Sequence, residues 1–420
     1  MPISFTPSQT GRPGEADLPF TGNPFKLLWK DLLLCFHHIN TIPGIIRPWN
    51  PFTSHESDEL HLSLVNIKCI VIHGILIVLQ TSFLVSVPVL VFTLFPAVWV
   101  ITYILGFVAL NTAICRLLNG TERTLQSSKT IQEKAAHQKE YWIYLNGVSV
   151  GRDWIQANIN RLSMTFRRPV VGVHNPTAGI VFDMIECLIQ RNFCYATADV
   201  RNAHSRIKEA LLDRSYEKII FILHSQGGIM GGLIIDWLLD ELPHDCLNRL
   251  EVYTFGNAAN HFNNPLRGEG SEGGPNGRKA IKAIRHVEHY ANEGEFVANF
   301  GVLHFFWNKN RFMGRLFRSS NSGHLLNQHY LAECFPLDEN DRVLESNPFM
   351  DMVVEHAGEA EEREHFTTEL QSRGGDEVEE PVVADVNSPL SPTHTATLHT
   401  HRVKDFSRLW LYRNGRSPTS

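Results

Sequence analysis

The stretch FILHSQGGIMGG, residues 221–232, brings an apolar run up to a serine and follows it with two glycines and a helical pattern. A serine on such a turn can attack an acyl carbon if other groups converge on it. A histidine must take its proton, a carboxylate must orient that histidine, and two backbone N–H groups must face the developing oxyanion. Candidates follow Ser225 in the order acid, then histidine: Glu293 and Glu295 in NEGEFVANFG, then His324 and His329 in SSNSGHLLNQHYL. His324 is the better base, because Ser322 and Gly323 place it at the end of a loop. His329 sits in a helical run and reads as structural. For the oxyanion, the N–H of Gln226 follows the nucleophile. The N–H of Val148 lies in YLNGVSVG, where Gly147 lets the backbone come close. One residue departs from the usual pattern. Two positions before the serine, where such turns commonly carry glycine, stands Leu223, which fits only if the facing helix leaves a pocket for it.

These side chains need a scaffold that brings strand ends together. From about residue 141 the chain alternates short β-branched or aromatic runs (YWIYLNG, PVVGVHN, IIFILHS, EVYTFGN, IRHVEHYAN) with helical patterns such as AGIVFDMIECLIQRN and GGIMGGLIIDWLLDEL. That alternation predicts an α/β domain over 141–345, a largely parallel sheet with helices on both faces. The Gly-rich piece at 267–277 reads as a surface loop between two strands.

Residues 141–337 resemble the α/β-hydrolase superfamily, in particular lipase-like serine esterases that include a membrane-associated fungal group. HSQGG is similar to their nucleophile turn, VYTFGNAANHF to a TFG-bearing strand, HYANEGEFVANFGVL to the acid segment and SGHLLNQHYL to the terminal histidine segment. The resemblance implies an α/β-hydrolase-type sheet, places the acid on Glu295 with Glu293 in reserve, and supports His324. Glutamate stands where aspartate is commoner; its extra methylene lengthens its reach.

Between Cys69 and Cys115 the chain holds no Asp, Glu, Lys or Arg, a length about twice that needed to cross a bilayer core. Pro88 and Pro96 bracket its middle, which predicts a two-helix transmembrane hairpin over 66–118. Lys68 before it and Arg116, Arg123, Lys129 and Lys134 after it put both flanks, and the catalytic domain, on the cytosolic side of an endomembrane such as the endoplasmic reticulum. Residues 1–60 include PFKLLWKDLLLCFHHI, whose apolar residues fall at helical spacing, an amphipathic helix for the membrane or for the domain. Residues 119–140 read as a linker, with the chain's one glycosylation sequon at Asn119.

A net charge of −6 argues against a nucleic-acid partner. Seven scattered cysteines argue against a disulfide framework or a zinc site, and no cofactor is expected. Residues 346–420 form an acidic tail expected to be largely disordered, with Ser388 and Ser391 before prolines and with His394, His399 and His401. Its basic, aromatic end could dock on a membrane or on the domain. The expected function is a membrane-anchored serine hydrolase acting on a hydrophobic acyl ester, thioester or acyl-protein. The alternative is a catalytically inactive adaptor of the same fold that binds protein partners through its tail.

Overall fold

The computed structural model describes residues 3–6, 22–52, 54–128, 135–265, 282–306, 312–356 and 402–418. The 267–277 piece, most of the acidic tail, the two Ser-Pro sites and the three tail histidines lie outside them.

The β-branched runs form strands, as their pattern demands. With others they make one nine-stranded sheet: Ile3–Thr6 (β1), Thr124–Gln126 (β2), Glu140–Leu145 (β3), Val171–Val173 (β4), Lys218–His224 (β5), Leu250–Phe255 (β6), His286–Asn292 (β7), Arg315–Ser319 (β8) and Val354–His356 (β9). The order across the sheet is β2-β4-β3-β5-β6-β7-β8-β1-β9. From β4 to β8 every neighbour is parallel, so the carboxyl ends of β3, β5, β6, β7 and β8 share one edge. Alternation along β5 divides the core between the two faces. Ile219, Phe221 and Leu223 join one apolar cluster; Ile220 and Ile222 join the other.

The helices that matter to the site are Pro24–His37 (α1), Leu64–Phe92 (α2), Ala97–Asn119 (α3), Arg152–Phe166 (α4), Ile180–Phe193 (α5), Ala198–Leu212 (α6) and Gly227–Glu241 (α7). Residues of α6 and α7 join the first cluster and those of α4 the second, so helices cover both faces. Asn23 caps α1 by accepting from the N–H groups of Phe25 and Lys26.

α2 and α3 are each long and apolar enough to cross a membrane. They run antiparallel, with Ser86 hydrogen-bonded to Tyr103, Phe83 stacked on Phe107, and Gln80 donating to Asn111. The turn falls after Pro88. That proline lies inside α2, while Pro96 caps α3.

The α/β body is wider than the 141–345 expected from sequence. β1 comes from the N-terminal region, β2 from the expected linker, and β9 from the expected tail. The basic, aromatic end of the chain also docks on the domain. Phe406, Leu409, Trp410 and Tyr412 are buried. The Arg408 guanidinium donates to Glu251, as does the Tyr412 hydroxyl, and the Arg408 N–H donates to Glu288. Burying four large side chains contributes roughly 1.5–3 kcal/mol each, and the buried carboxylates find their partners in the same segment.

Candidate active site

Ser225 follows the last residue of β5 and has φ of 59°, the left-handed region in which a non-glycine residue is strained. Its backbone is held there from three sides. Its N–H donates to Phe255 O, and its carbonyl accepts from Gly228 and Ala258. α7 starts two residues on, so the side chain stands at the head of a strand–turn–helix corner.

Leu223 is accommodated by a glycine of α7 eight residues along. A Cβ placed on Gly231 would lie 2.3 Å from Leu223 Cδ1. The leucine therefore fills space that the α7 glycine vacates, and it is fully buried. The leucine takes its space from the helix side, and the turn stays open. Gly231→Ala should accordingly cost about 1–3 kcal/mol from overpacking in the native chain and close to nothing in a Leu223→Ala background. Urea unfolding of the four proteins of this cycle would measure the coupling; additive losses would overturn the account.

Glu295 follows β7 and caps the short helix Phe296–Phe300, its carboxylate accepting from the N–H groups of Val297 and Ala298 and from the Tyr330 hydroxyl. It is fully buried, with Oε1 3.2 Å from His324 Nδ1. Glu293, the reserve acid, is only half-buried and pairs with Arg318 at 2.6 Å. His329 donates from Nε2 to Pro48 O and accepts the Leu325 N–H at Nδ1, so both ring nitrogens are committed to backbone.

His324 lies in the loop after β8. The 3-10 segment Ile39–Ile45 grips that loop, its Gly44 and Ile45 carbonyls accepting from Gly323 and His324. His224 grips it from below, donating from Nε2 to the His324 carbonyl at 2.7 Å and stacking its ring on that of His324 at 4.8 Å. Neither ring nitrogen of His324 completes a hydrogen bond: Nδ1 faces Glu295 outside good alignment, and Nε2 has no partner, Ser225 included. Catalytic hydrogen bonds of this kind often close only once substrate is bound.

The loop after β3 runs against Ser225. A Cβ on Gly147 would sit 2.4 Å from Ser225 Cβ and 2.9 Å from its Oγ, so only glycine fits there. Val148 is the next residue. Among the described residues, the N–H groups of Gln226 and Val148 donate to no protein acceptor. Side chains the sequence reading passed over fix both. Asn175 and Gln190 hold the Gln226 amide, and Asn146 ties Gly147 O to Asn175 O. Asp183 accepts from the N–H of Ser149 and from Thr177 and Ala178. Ala178 O in turn accepts from Gln80 of α2 and Asn111 of α3, which links the long helices to this loop. An acid within the apolar run GIVFDMI was the available signal for Asp183, and His224 stands inside the HSQGG motif itself. The sequon residue Asn119 spends its amide on Thr177, donating from Nδ2 and accepting at Oδ1.

A cleft of about 440 Å³ opens elsewhere, at the base of α3, lined by residues including Arg116, Arg123 and His174 but by none of Ser225, Glu295 or His324.

Burial makes two histidines acid-sensitive supports of the site. His224 is pushed down to about 3 by desolvation, reinforced by the neighbouring His324. His289, between the Thr254 hydroxyl and Met313 O, is pushed down to about 4 by desolvation. Both folded pKa values lie below the ordinary 6.5, so the folded state keeps the rings neutral while the unfolded chain takes up protons. Their contribution is complete above pH 6.5 and is lost as pH falls towards 4. Near pH 5 the slope from the two should approach about 2.7 kcal/mol per pH unit, and His289→Gln should halve it. Unfolding free energies between pH 4.5 and 7.5 would show this, and a flat profile would exclude it.

Among the described residues no cluster of metal-ligating side chains occurs, and all seven cysteines are free. No known protein family, curated protein or solved structure matches the chain.

Proposed function

We propose that this chain is a membrane-anchored serine hydrolase of α/β-hydrolase type that cleaves carboxylic esters or thioesters of hydrophobic acyl chains. The observation that carries the reading is Ser225, held at positive φ between β5 and α7, beside the buried His324–Glu295 pair at the same edge of the sheet. In this reading Ser225 Oγ attacks the acyl carbon while His324 Nε2 takes its proton. The tetrahedral oxyanion rests on the N–H groups of Gln226 and Val148. His324 returns the proton to the departing alcohol or thiol, and water, activated by the same imidazole, releases the acid and restores the serine. Glu295 holds the imidazole in the required tautomer. Support also comes from the acid lying after β7 and the histidine after β8, both past the nucleophile in chain order.

The membrane half of the proposal rests on α2 and α3, read as a hairpin with the catalytic domain on the cytosolic side of an endomembrane. A bilayer beside the site would raise the local concentration of acyl substrates. No cofactor is called for.

Labelling by a fluorophosphonate probe in native-like membranes, wild type beside Ser225→Ala, tests the chemistry. Wild-type labelling that the variant loses supports an activated serine. Absence of labelling in a folded, inserted protein would favour the adaptor reading, for which the missing Ser225–His324 hydrogen bond is the one structural observation.

A further inference from the structure

α1 is amphipathic in a way that its packing on the domain leaves half explained. Its inner side buries Leu34 and sets Asp31 against Arg191 of α5, with Nη2 to Oδ1 at 2.6 Å. Its outer side exposes Phe25, Trp29, Leu33 and Phe36, all more than half exposed. At 100° per residue those four fall within an arc of about 80°, and Lys26 and Lys30, both exposed, lie along one flank of it. The chain that follows adds exposed Ile39, Ile42, Ile46, Trp49 and Phe52.

This stripe is continuous with the two long helices. α5 exposes Ile185, Ile189 and Phe193 four residues apart. Phe193 meets Phe25 of α1 edge-on at 5.5 Å, and Phe182 meets Phe83 of α2 and Phe107 of α3 in the same manner. One apolar band therefore runs from α2 and α3 across α5 to α1. An exposed apolar surface of this extent is rare on a protein that meets only water.

The reach of the long helices says what covers the band. α2 turns Asn66, Cys69, His73, Leu76 and Gln80 inward, and Gln80 and Asn111 are clamped on Ala178. Beyond that clamp α2 has only residues 81–92, about 18 Å at 1.5 Å per residue, against a hydrocarbon core of about 30 Å. Below the clamp the outward side of α2 is still apolar, with Leu64, Val65, Ile67, Ile70 and Val71 exposed. A bilayer that covers the outward side of α2 must extend down the flank of the domain, where α5 and α1 present theirs.

We infer that the outer faces of α1 and α5, with the 39–52 segment, form an in-plane membrane-docking platform that seats the catalytic domain in the leaflet. The occupant is the bilayer itself: hydrocarbon against Trp29, Phe36, Ile189 and Phe193, and headgroup phosphates against Lys26 and Lys30. The inference rests on the membrane placement of α2 and α3 proposed above. It adds a second contact, made by the domain, to their insertion. The 3-10 segment that grips His324 belongs to this platform, so the surface proposed to sit in the leaflet is also the wall of the catalytic loop.

Nitroxide labels in the full chain in phosphatidylcholine–phosphatidylserine nanodiscs test it. The exposed Cys194 is replaced by Ser, and single labels are placed at Phe36→Cys and, as a water-facing control, Leu212→Cys at the end of α6. Collision rates with oxygen and with a nickel chelate are compared, and vesicle flotation of the unlabelled protein is run in parallel. Position 36 is expected to show a severalfold higher oxygen-to-nickel ratio than position 212. Equal ratios in a protein that floats would overturn the platform and leave the long helices as the only anchor. A label at 36 shielded from both quenchers would overturn it in favour of a protein partner or a second copy. Failure of the wild type to float would remove the membrane placement and the platform with it.

Discussion

Ser225→Ala should lower kcat on a short acyl ester such as p-nitrophenyl butyrate by about 10⁵- to 10⁶-fold, about 7–8 kcal/mol of lost transition-state stabilisation. The effect should be this large because, in the mechanism proposed above, the variant removes the atom that forms the acyl bond, while the corner held by Phe255, Gly228 and Ala258 stays in place. The fold should be nearly untouched. Ser225 Oγ makes no hydrogen bond to protein, and alanine inherits the same left-handed backbone at a similar cost, so the stability change should stay within about 1 kcal/mol. Purified full chain in nanodiscs, assayed under single-turnover conditions beside a thermal melt, gives both numbers. Retention of a tenth of the wild-type rate would mean that the esterase activity does not run through this serine.

Glu295→Gln should lower kcat by roughly 10³- to 10⁴-fold with a small change in KM. The carboxylate faces His324 Nδ1 and at the same time accepts from two helix N–H groups and the Tyr330 hydroxyl. An amide has one acceptor oxygen for these donors, and its NH₂ confronts either the cap or the imidazole. The histidine then turns to the wrong tautomer or orientation, and the helix loses part of its cap at about 1 kcal/mol. Glu293→Gln is the internal control. Its half-buried, solvent-accessible pair with Arg318 contributes at most about 1 kcal/mol to stability, and the rate should not move. A profile in which Glu293→Gln is inactive and Glu295→Gln active would move the acid to the other glutamate.

The parts of this architecture that were legible in the sequence are those whose signal is local. Runs such as KIIFIL and EVYTF have the β-branched and aromatic content that a sheet covered on both faces demands, and β5 and β6 lie where those runs are. The two long helices declare themselves by the absence of charge. What stayed hidden depends on partners far along the chain. The four residues ISFT carry no periodicity of their own; they become a strand because β8 and β9 offer them unpaired edges. The Leu223 puzzle had its answer in Gly231, which a linear reading treats as a packing glycine of α7. The C-terminal aromatics could face lipid or protein, and the buried carboxylates of Glu251 and Glu288, invisible as such in sequence, decide for protein. The site followed the same division. Ser225, His324 and Glu295 stand at strand ends that pattern can find, whereas His224, Asp183 and Gln190 act through contacts that only the folded chain brings about.

The position of β1 imposes an order of assembly. Its residues are synthesised before those of both its partners, yet Phe5 pairs with Phe317 on one side and with His356 on the other. A nascent chain must therefore keep this segment unattached while more than 300 further residues emerge, among them both long apolar helices. Loop closure over that separation is slow and entropically opposed. The seam between β8 and β9 is thus the last part of the sheet to be sewn, with β1 as its thread. Until then β8 has an open edge, free to pair with the wrong strand.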